Sequence, residues 1–177
     1  FDGCCYYSPL YEGKPHYWIH TDQSSRKKGV CCYQSFLSLT NNSERTLLLY
    51  KGSHLLHEDY FITMKIDEPR DWNILDQNYI QQLEEDKIYL NVKEGDLVIW
   101  DSRTFHQNTC GDLNCNEERL VQYLCYLPKN NEKNDTKQQK QRRKFYEKLR
   151  TTSHWPYPMN PVPEQPNTYN SYFSDKK

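Results

Sequence analysis

Several features that would place this chain in a definite class are missing. No apolar run among its 177 residues approaches the roughly 20 positions that a membrane-crossing helix needs, which excludes a helical membrane span. No basic-then-apolar leader opens the chain, so no signal peptide is read. No internal repeat is visible, which excludes a solenoid or propeller. The seven cysteines form no secreted disulfide framework, because the count is odd and Cys4-Cys5 and Cys31-Cys32 are adjacent pairs. Reduced thiols in a cytoplasmic or nuclear protein are expected, and secretion is not. Cys110 and Cys115 flank a short loop and are the one pair read as a disulfide or half a zinc site. Zinc would need two more well-spaced ligands.

At 21.4 kDa the length suits one domain. A mean hydropathy of -1.05 is polar for an enzyme, but 15 Tyr and 4 Trp can fill a core and keep polar handles available. Strand patterns fall at 17–22, 30–40, 46–50, 87–93, 96–101, 104–108 and 119–127, and helical patterns at 54–60 and 76–85. The longest insertion between core strands, 62–85, carries Trp72 and is read as part of a lid or substrate wall.

The chemistry concentrates in His20-Thr21-Asp22, with His106 following 84 residues after Asp22. On an extended strand residues i and i+2 share a side, so His20 and Asp22 reach one metal while Thr21 faces away. On a helix the pair would be separated by about 200°. Two imidazoles and one carboxylate are the donor set with which a non-haem Fe(II) oxygenase holds one face of its iron. Alone, the H-x-D pair is weak evidence in a chain with six His and 24 acidic residues. Its context strengthens it. Tyr17-Trp18-Ile19 leads into the pair as a strand, Gly95 to Asp101 leads towards His106, and Arg119 opens the strand Leu120–Leu127. Ligands from separate strands suit a small β-barrel with a metal in its mouth.

With these stretches in view, the chain resembles the phytanoyl-CoA dioxygenase-like family of Fe(II)/2-oxoglutarate oxygenases. The likeness rests on Trp18–Gln23, Ser35–Thr40, Lys51–His54, Gly95–Asn108 and Arg119, and covers roughly residues 16–128. It is closest to uncharacterised members from large DNA viruses, fungi and algae, which share the Asp101-Ser102-Arg103 to His106 stretch and the late Ser153-His154-Trp155-Pro156. No established substrate comes with that subgroup.

The resemblance implies a mainly β fold, a double-stranded β-helix (jelly-roll, cupin-like barrel) with flanking helices. It implies Fe(II) on His20, Asp22 and His106, with 2-oxoglutarate and O₂ taking the open positions. The expected reaction is hydroxylation of a C–H bond, with 2-oxoglutarate decarboxylated to succinate and CO₂. Asp22 favours hydroxylation or another oxidation, since halogenating relatives lack this carboxylate. Arg119 is expected to clamp the distal carboxylate of 2-oxoglutarate with its planar fork. Arg103 is a competitor for that role. Asn108 and Gln34 are expected at the same co-substrate, although Asn108 stands where the family often has a hydroxyl residue. Phe36 and Trp18 are expected at the substrate. His54 is expected to cap a turn or support the ligands, and His16, His57 and His154 to lie at the surface. The alternatives are a non-catalytic metal-binding or regulatory barrel, and a cupin-type metalloenzyme that does not use 2-oxoglutarate.

The chain opens on Phe rather than Met, and no strand is read before residue 17. An N-terminal strand is therefore expected to be missing, with one barrel edge incomplete. The oxygenase core is assigned to 1–128 and a C-terminal extension packed on it to 129–177. Lys129 to Arg150 holds nine Lys and Arg against three acids, and the whole chain is -1, so the remainder is about -7. A basic helix over 137–149 is expected to pack through Phe145 and Leu149. Its charge would suit nucleic acid or an acidic protein. Residues 151–166 are read as an extended, proline-rich surface segment, and the last residues as frayed. The substrate, small or macromolecular, is not encoded legibly.

Overall fold

A computed structural model describes residues 2–161. The fraying expected at the C-terminus and residues 162–166 of the proline-rich segment lie outside them.

Among the described residues, nine strands form two antiparallel sheets. One sheet has the order β1 (Cys4–Tyr7), β9 (Arg119–Tyr126), β3 (Tyr33–Ser38), β7 (Leu97–Asp101). The other has the order β5 (Asn73–Ile74), β2 (His20–Thr21), β8 (His106–Asn108), β4 (Leu47–Tyr50), β6 (Lys87–Tyr89). Early strands pair with late ones, β1 with β9 and β2 with β8, and the chain passes repeatedly between the sheets. That is an antiparallel ribbon rolled into a jelly roll, the expected double-stranded β-helix.

A strand that the sequence pattern does not reveal precedes residue 17. Cys4–Tyr7 pairs with the start of β9 in the register Tyr7↔Arg119 and Tyr6↔Leu120. Its sequence hides it: a Cys-Cys-Tyr-Tyr run shows no apolar–polar alternation, and its half-exposed pattern reflects an edge position. The insertion 62–85 also contributes β5, a two-residue strand on the outer side of β2.

The core has two parts. Phe36, Leu47, Val92, Trp100 and Val121 form one cluster from strands of both sheets and the segment after β6. Burying an aromatic such as Phe36 contributes about 1.5–3 kcal/mol. The second cluster seats α1 (His57–Thr63) and α2 (Gln77–Gln81) on β2 and β4 through Ile19, Leu48, Tyr60, Phe61 and Ile80. The helix expected at 54–60 starts later, because Gly52, at φ 77°, first turns the chain into a short 3₁₀ segment, Ser53–Leu55. Asp76 caps α2 by accepting from Tyr79 N at 2.9 Å, and its own N–H donates to the Tyr60 hydroxyl at 2.8 Å. The helix expected to reach 85 ends at Gln81 and is followed by a 3₁₀ turn, Glu84–Asp86.

Arg45 is fully buried and staples three loops. Its guanidinium donates to the carbonyls of Ser8, Tyr11, Cys110, Cys115 and Glu117. All seven cysteines are free thiols, so Cys110 and Cys115 are not bridged; Arg45 organises the loop between them instead.

The basic helix α3 (Thr136–Glu147) is capped by Asp135, which accepts from Gln138 N at 2.8 Å. Leu149, expected to pack it down, is 92% exposed, and Phe145 is only partly buried. The reason is geometric: Leu149 lies beyond the helix at φ 52° and turns away from its face. No helix among the described residues is long and apolar enough to cross a membrane.

Candidate metal centre

β2 and β8 are neighbours, and His20 and His106 are direct register partners. This pairing brings together two residues 86 positions apart, with ring centroids at 4.4 Å. Asp22 follows β2, where its N–H donates to Ser102 O at 3.1 Å. Gln23 then locks the strand end: its Oε1 accepts from the Ser102 hydroxyl at 2.8 Å, and its amide donates to Lys27 O and Gly29 O. The turn before β8 is held by Ser53, whose Oγ accepts from Phe105 N at 2.9 Å. Ser102 and Ser53 therefore carry the positional meaning of the Asp101–His106 and Lys51–His54 stretches.

One ligand atom each from His20, Asp22 and His106 lies within 4.8 Å of the others, and all three residues are buried. His20 Nδ1 is 3.0 Å from Trp18 O and His106 Nδ1 is 2.8 Å from Thr104 O. Each Nδ1–H thus donates to the carbonyl two residues back, which fixes the tautomer and leaves Nε2 as the ligating lone pair. Both Nε2 atoms face Asp22 Oδ2, at 3.6 Å from His20 and 3.4 Å from His106. Burial alone would raise the Asp22 carboxyl, but the imidazoles of His106, His154 and His20 around it outweigh burial and hold it well below the usual range. Burial, followed by repulsion from His20, lowers His106. The site favours an anionic carboxylate and a neutral His106, the protonation states that bind a cation. Among the described residues this is the one cluster of this kind.

Arg119 sits at the start of β9, 1% exposed. Its Nη2 donates to Asn108 Oδ1 at 3.0 Å, and its Nη1 lies 3.2 Å from Cys5 Sγ. Asn108 in turn donates to the Tyr123 hydroxyl at 2.9 Å. Asn108 lies two residues beyond His106 on the same strand, so the Arg119 network and the metal cluster share β8. The rings of Phe36 and Tyr7 flank the guanidinium at 5.5 and 5.9 Å. No carboxylate among the described residues pairs with it. Arg103, by contrast, is neutralised by a two-pronged contact with Asp101, at 3.0 and 2.8 Å.

A cavity of about 1880 Å³ opens beside these groups, larger than the ~300–1,000 Å³ usual for small-molecule sites. Trp18, expected at the substrate, lines it and stacks on His20 with centroids 4.9 Å apart. Trp72 of the 62–85 insertion faces the same imidazole at 5.7 Å. Gln34 also lines the cavity, with its carbonyl oxygen held by Trp100 Nε1 at 3.0 Å. Phe36 lies deeper, in the core between Trp100 and Tyr123.

Of the histidines expected at the surface, His57 is not there, and His154, although its side chain is 43% exposed, also reaches into the site. His57 is fully buried, with Nε2 2.9 Å from Gln23 O. His154 Nε2 lies 3.3 Å from Asp22 Oδ1. Burial opposes the charge of His154, but the Asp22 carboxylate outweighs it and pushes the imidazole up to about 9. Nothing local distinguishes His154 in the sequence; its motif Ser-His-Trp-Pro was the only signal. Tyr123 was findable, because it lies four residues past Arg119 on the same strand face.

No protein-family model matches the chain. Among curated proteins, the Ava biosynthesis cluster protein O of Aspergillus versicolor is 31% identical over 127 residues, covering 63% of this chain and 40% of that protein. The chain therefore spans less than half the length of that relative. Among solved structures, EctD from S. alaskensis in its apoform is similar, with a TM-score of 0.50 and 17% identity over 70% of this chain and 42% of that one. A second EctD structure, with 2-oxoglutarate and 5-hydroxyectoine, has a TM-score of 0.49 at 16% identity and the same coverage. The likeness to the apoform, together with the strand order, establishes the fold as a cupin-type jelly roll.

Proposed function

We propose that this protein is an Fe(II)- and 2-oxoglutarate-dependent dioxygenase of the phytanoyl-CoA dioxygenase-like type, hydroxylating a C–H bond of its substrate. One observation carries the reading: a buried His-Asp-His cluster is linked, through Asn108 two residues past His106 on β8, to a buried arginine that has no carboxylate partner among the described residues. A guanidinium taken out of water without a counter-ion is costly, and a dicarboxylate ligand would supply the missing anion. A barrel binding metal alone, or a cupin enzyme without 2-oxoglutarate, needs no such cation.

His20, Asp22 and His106 would hold Fe(II). When bound, the metal supplies O₂ activation coupled to decarboxylation of 2-oxoglutarate. Arg119 would take the distal carboxylate in a bidentate contact, with Asn108 fixing the guanidinium plane. Gln34, oriented by Trp100, would meet the other end of the co-substrate. Trp18 and Trp72 would hold His20 between two rings and keep water from the reacting face. The substrate's identity does not follow from these residues. The basic face of α3 suits an acidic partner or nucleic acid, and that role too is part of the proposal.

The test is aerobic incubation with Fe(II), ascorbate and 2-oxoglutarate, with succinate quantified. Slow Fe(II)-dependent succinate formation that disappears in His106→Ala is expected even without the true substrate. A folded protein that binds Fe(II) but neither binds nor consumes 2-oxoglutarate contradicts the reading.

A further inference from the structure

The segment that follows α3 is anchored beside the metal centre. Its backbone closes on itself: Ser153 N donates to Asn160 O at 2.9 Å, and Thr152 bridges Pro161. Trp155 and Met159 are buried. The Lys27 ammonium lies 3.8 Å from the centre of the Trp155 ring and 2.7 Å from Asp71 Oδ2. Asp71 Oδ1 also accepts from Ser24 N at 3.2 Å, two residues beyond Asp22. The loop is thus tied to the stretch of chain that carries the carboxylate ligand.

This anchoring sets His154 against Asp22 from the side opposite the other imidazoles. His20 and His106 face Oδ2, whereas His154 Nε2 is 3.3 Å from Oδ1. His154 lies outside the three-residue cluster whose ligand atoms are all within 4.8 Å of one another. The two carboxylate oxygens therefore have different neighbours. We propose that His154 is a positioning residue: its Nε2–H donates to Asp22 Oδ1 and presents Oδ2 alone to the metal. The inference rests on the metal-site reading above. A carboxylate with both oxygens unrestrained can bind a metal through one or two of them. A donor fixed on Oδ1 selects one, orients the ligand and preserves the open positions that a bidentate co-substrate and O₂ require. It also gives the Ser153–Pro156 motif a physical role, with Trp155 as the anchor and His154 as the group delivered.

The test is titration of Co(II), a spectroscopic stand-in for Fe(II), into wild type, His154→Ala, His154→Phe, His154→Gln and His106→Ala. Visible absorption reports binding, and thermal unfolding of each metal-free protein reports the fold. His154→Ala and His154→Phe should weaken Co(II) binding by about 10- to 100-fold with little change in unfolding temperature. His154→Gln, whose amide replaces the donor, should restore most of the affinity. Should the alanine variant fail to fold, the phenylalanine variant fills the ring's volume and carries the test. Wild-type affinity in the donor-less variants overturns the inference while leaving the metal site standing. A spectrum that loses a nitrogen ligand in all three His154 variants, glutamine included, makes His154 a ligand and also overturns it. Absence of Co(II) binding by wild type, or binding untouched by His106→Ala, overturns the metal-site reading itself and this inference with it.

Discussion

Replacing Arg119 by methionine separates a co-substrate clamp from a structural arginine. Methionine approximates the length of the side chain and removes its charge and fork. The fold loses the 3.0 Å hydrogen bond to Asn108 Oδ1, which costs about 1 kcal/mol. It also no longer buries a guanidinium that lacks an anion, and that relief offsets the loss. The net change in stability should be within about 1 kcal/mol, a shift of a few degrees in unfolding temperature for a chain of this size. Binding of 2-oxoglutarate loses a buried bidentate ion pair instead. Such a loss costs about 2–4 kcal/mol, or roughly 30- to 700-fold in Kd at 1.4 kcal/mol per decade. Anaerobic calorimetric titration of 2-oxoglutarate into the metal-loaded protein, with thermal unfolding alongside, reads both quantities. Unchanged 2-oxoglutarate affinity with a stability loss above about 3 kcal/mol would refute the reasoning and make Arg119 a structural residue.

Three further outcomes are expected. Arg45→Met should destabilise the fold by about 3 kcal/mol or more, because five carbonyls lose their shared donor; a urea-unfolding loss below about 1 kcal/mol would count against the staple. His57 is held below the ordinary histidine value of 6.5 by burial, so the unfolded chain takes up its proton first. Its share of stability is present above that value and lost as pH falls below it, towards the lowered folded value. In His57→Gln the fall in urea midpoint between pH 7.5 and 5.5, on the order of the histidine titration range, should be smaller than in wild type, and an equal fall would contradict this. Trp72→Ala should leave 2-oxoglutarate affinity near wild type while raising uncoupled succinate formation, since Trp72 shields His20 rather than the Arg119 network; an equal rate in both proteins would remove its assigned role.

The legible parts of this molecule are those in which a local period carries the information. His20 and Asp22 could be paired because strand residues two apart share a face, and Asn108 follows His106 by the same rule. The strands Tyr33–Ser38, Leu97–Asp101 and Arg119–Tyr126 all fall within apolar, β-rich runs, although the structure trims their ends. What stayed hidden depends on long-range docking. Cys4–Tyr7 becomes a strand because β9 offers it an edge more than a hundred residues later, not through its own pattern. His154 is brought to Asp22, 132 positions away, by the burial of Trp155 and the Lys27–Asp71 pair. His57 enters the core because Gly52 delays α1, setting which face of the helix turns inward. The apolar 3.6-residue period alone could not fix that phase over a seven-residue helix.

The central claim is that the His20–Asp22–His106 cluster and Arg119 together hold a metal chelated by 2-oxoglutarate. Anaerobic addition of 2-oxoglutarate to the Fe(II)-loaded protein tests it most directly, by following the weak visible charge-transfer band of the chelate. The account predicts a saturable band in wild type, its loss in His106→Ala, and saturation only at much higher 2-oxoglutarate in Arg119→Met. A folded, iron-loaded wild-type protein that develops no band would contradict it.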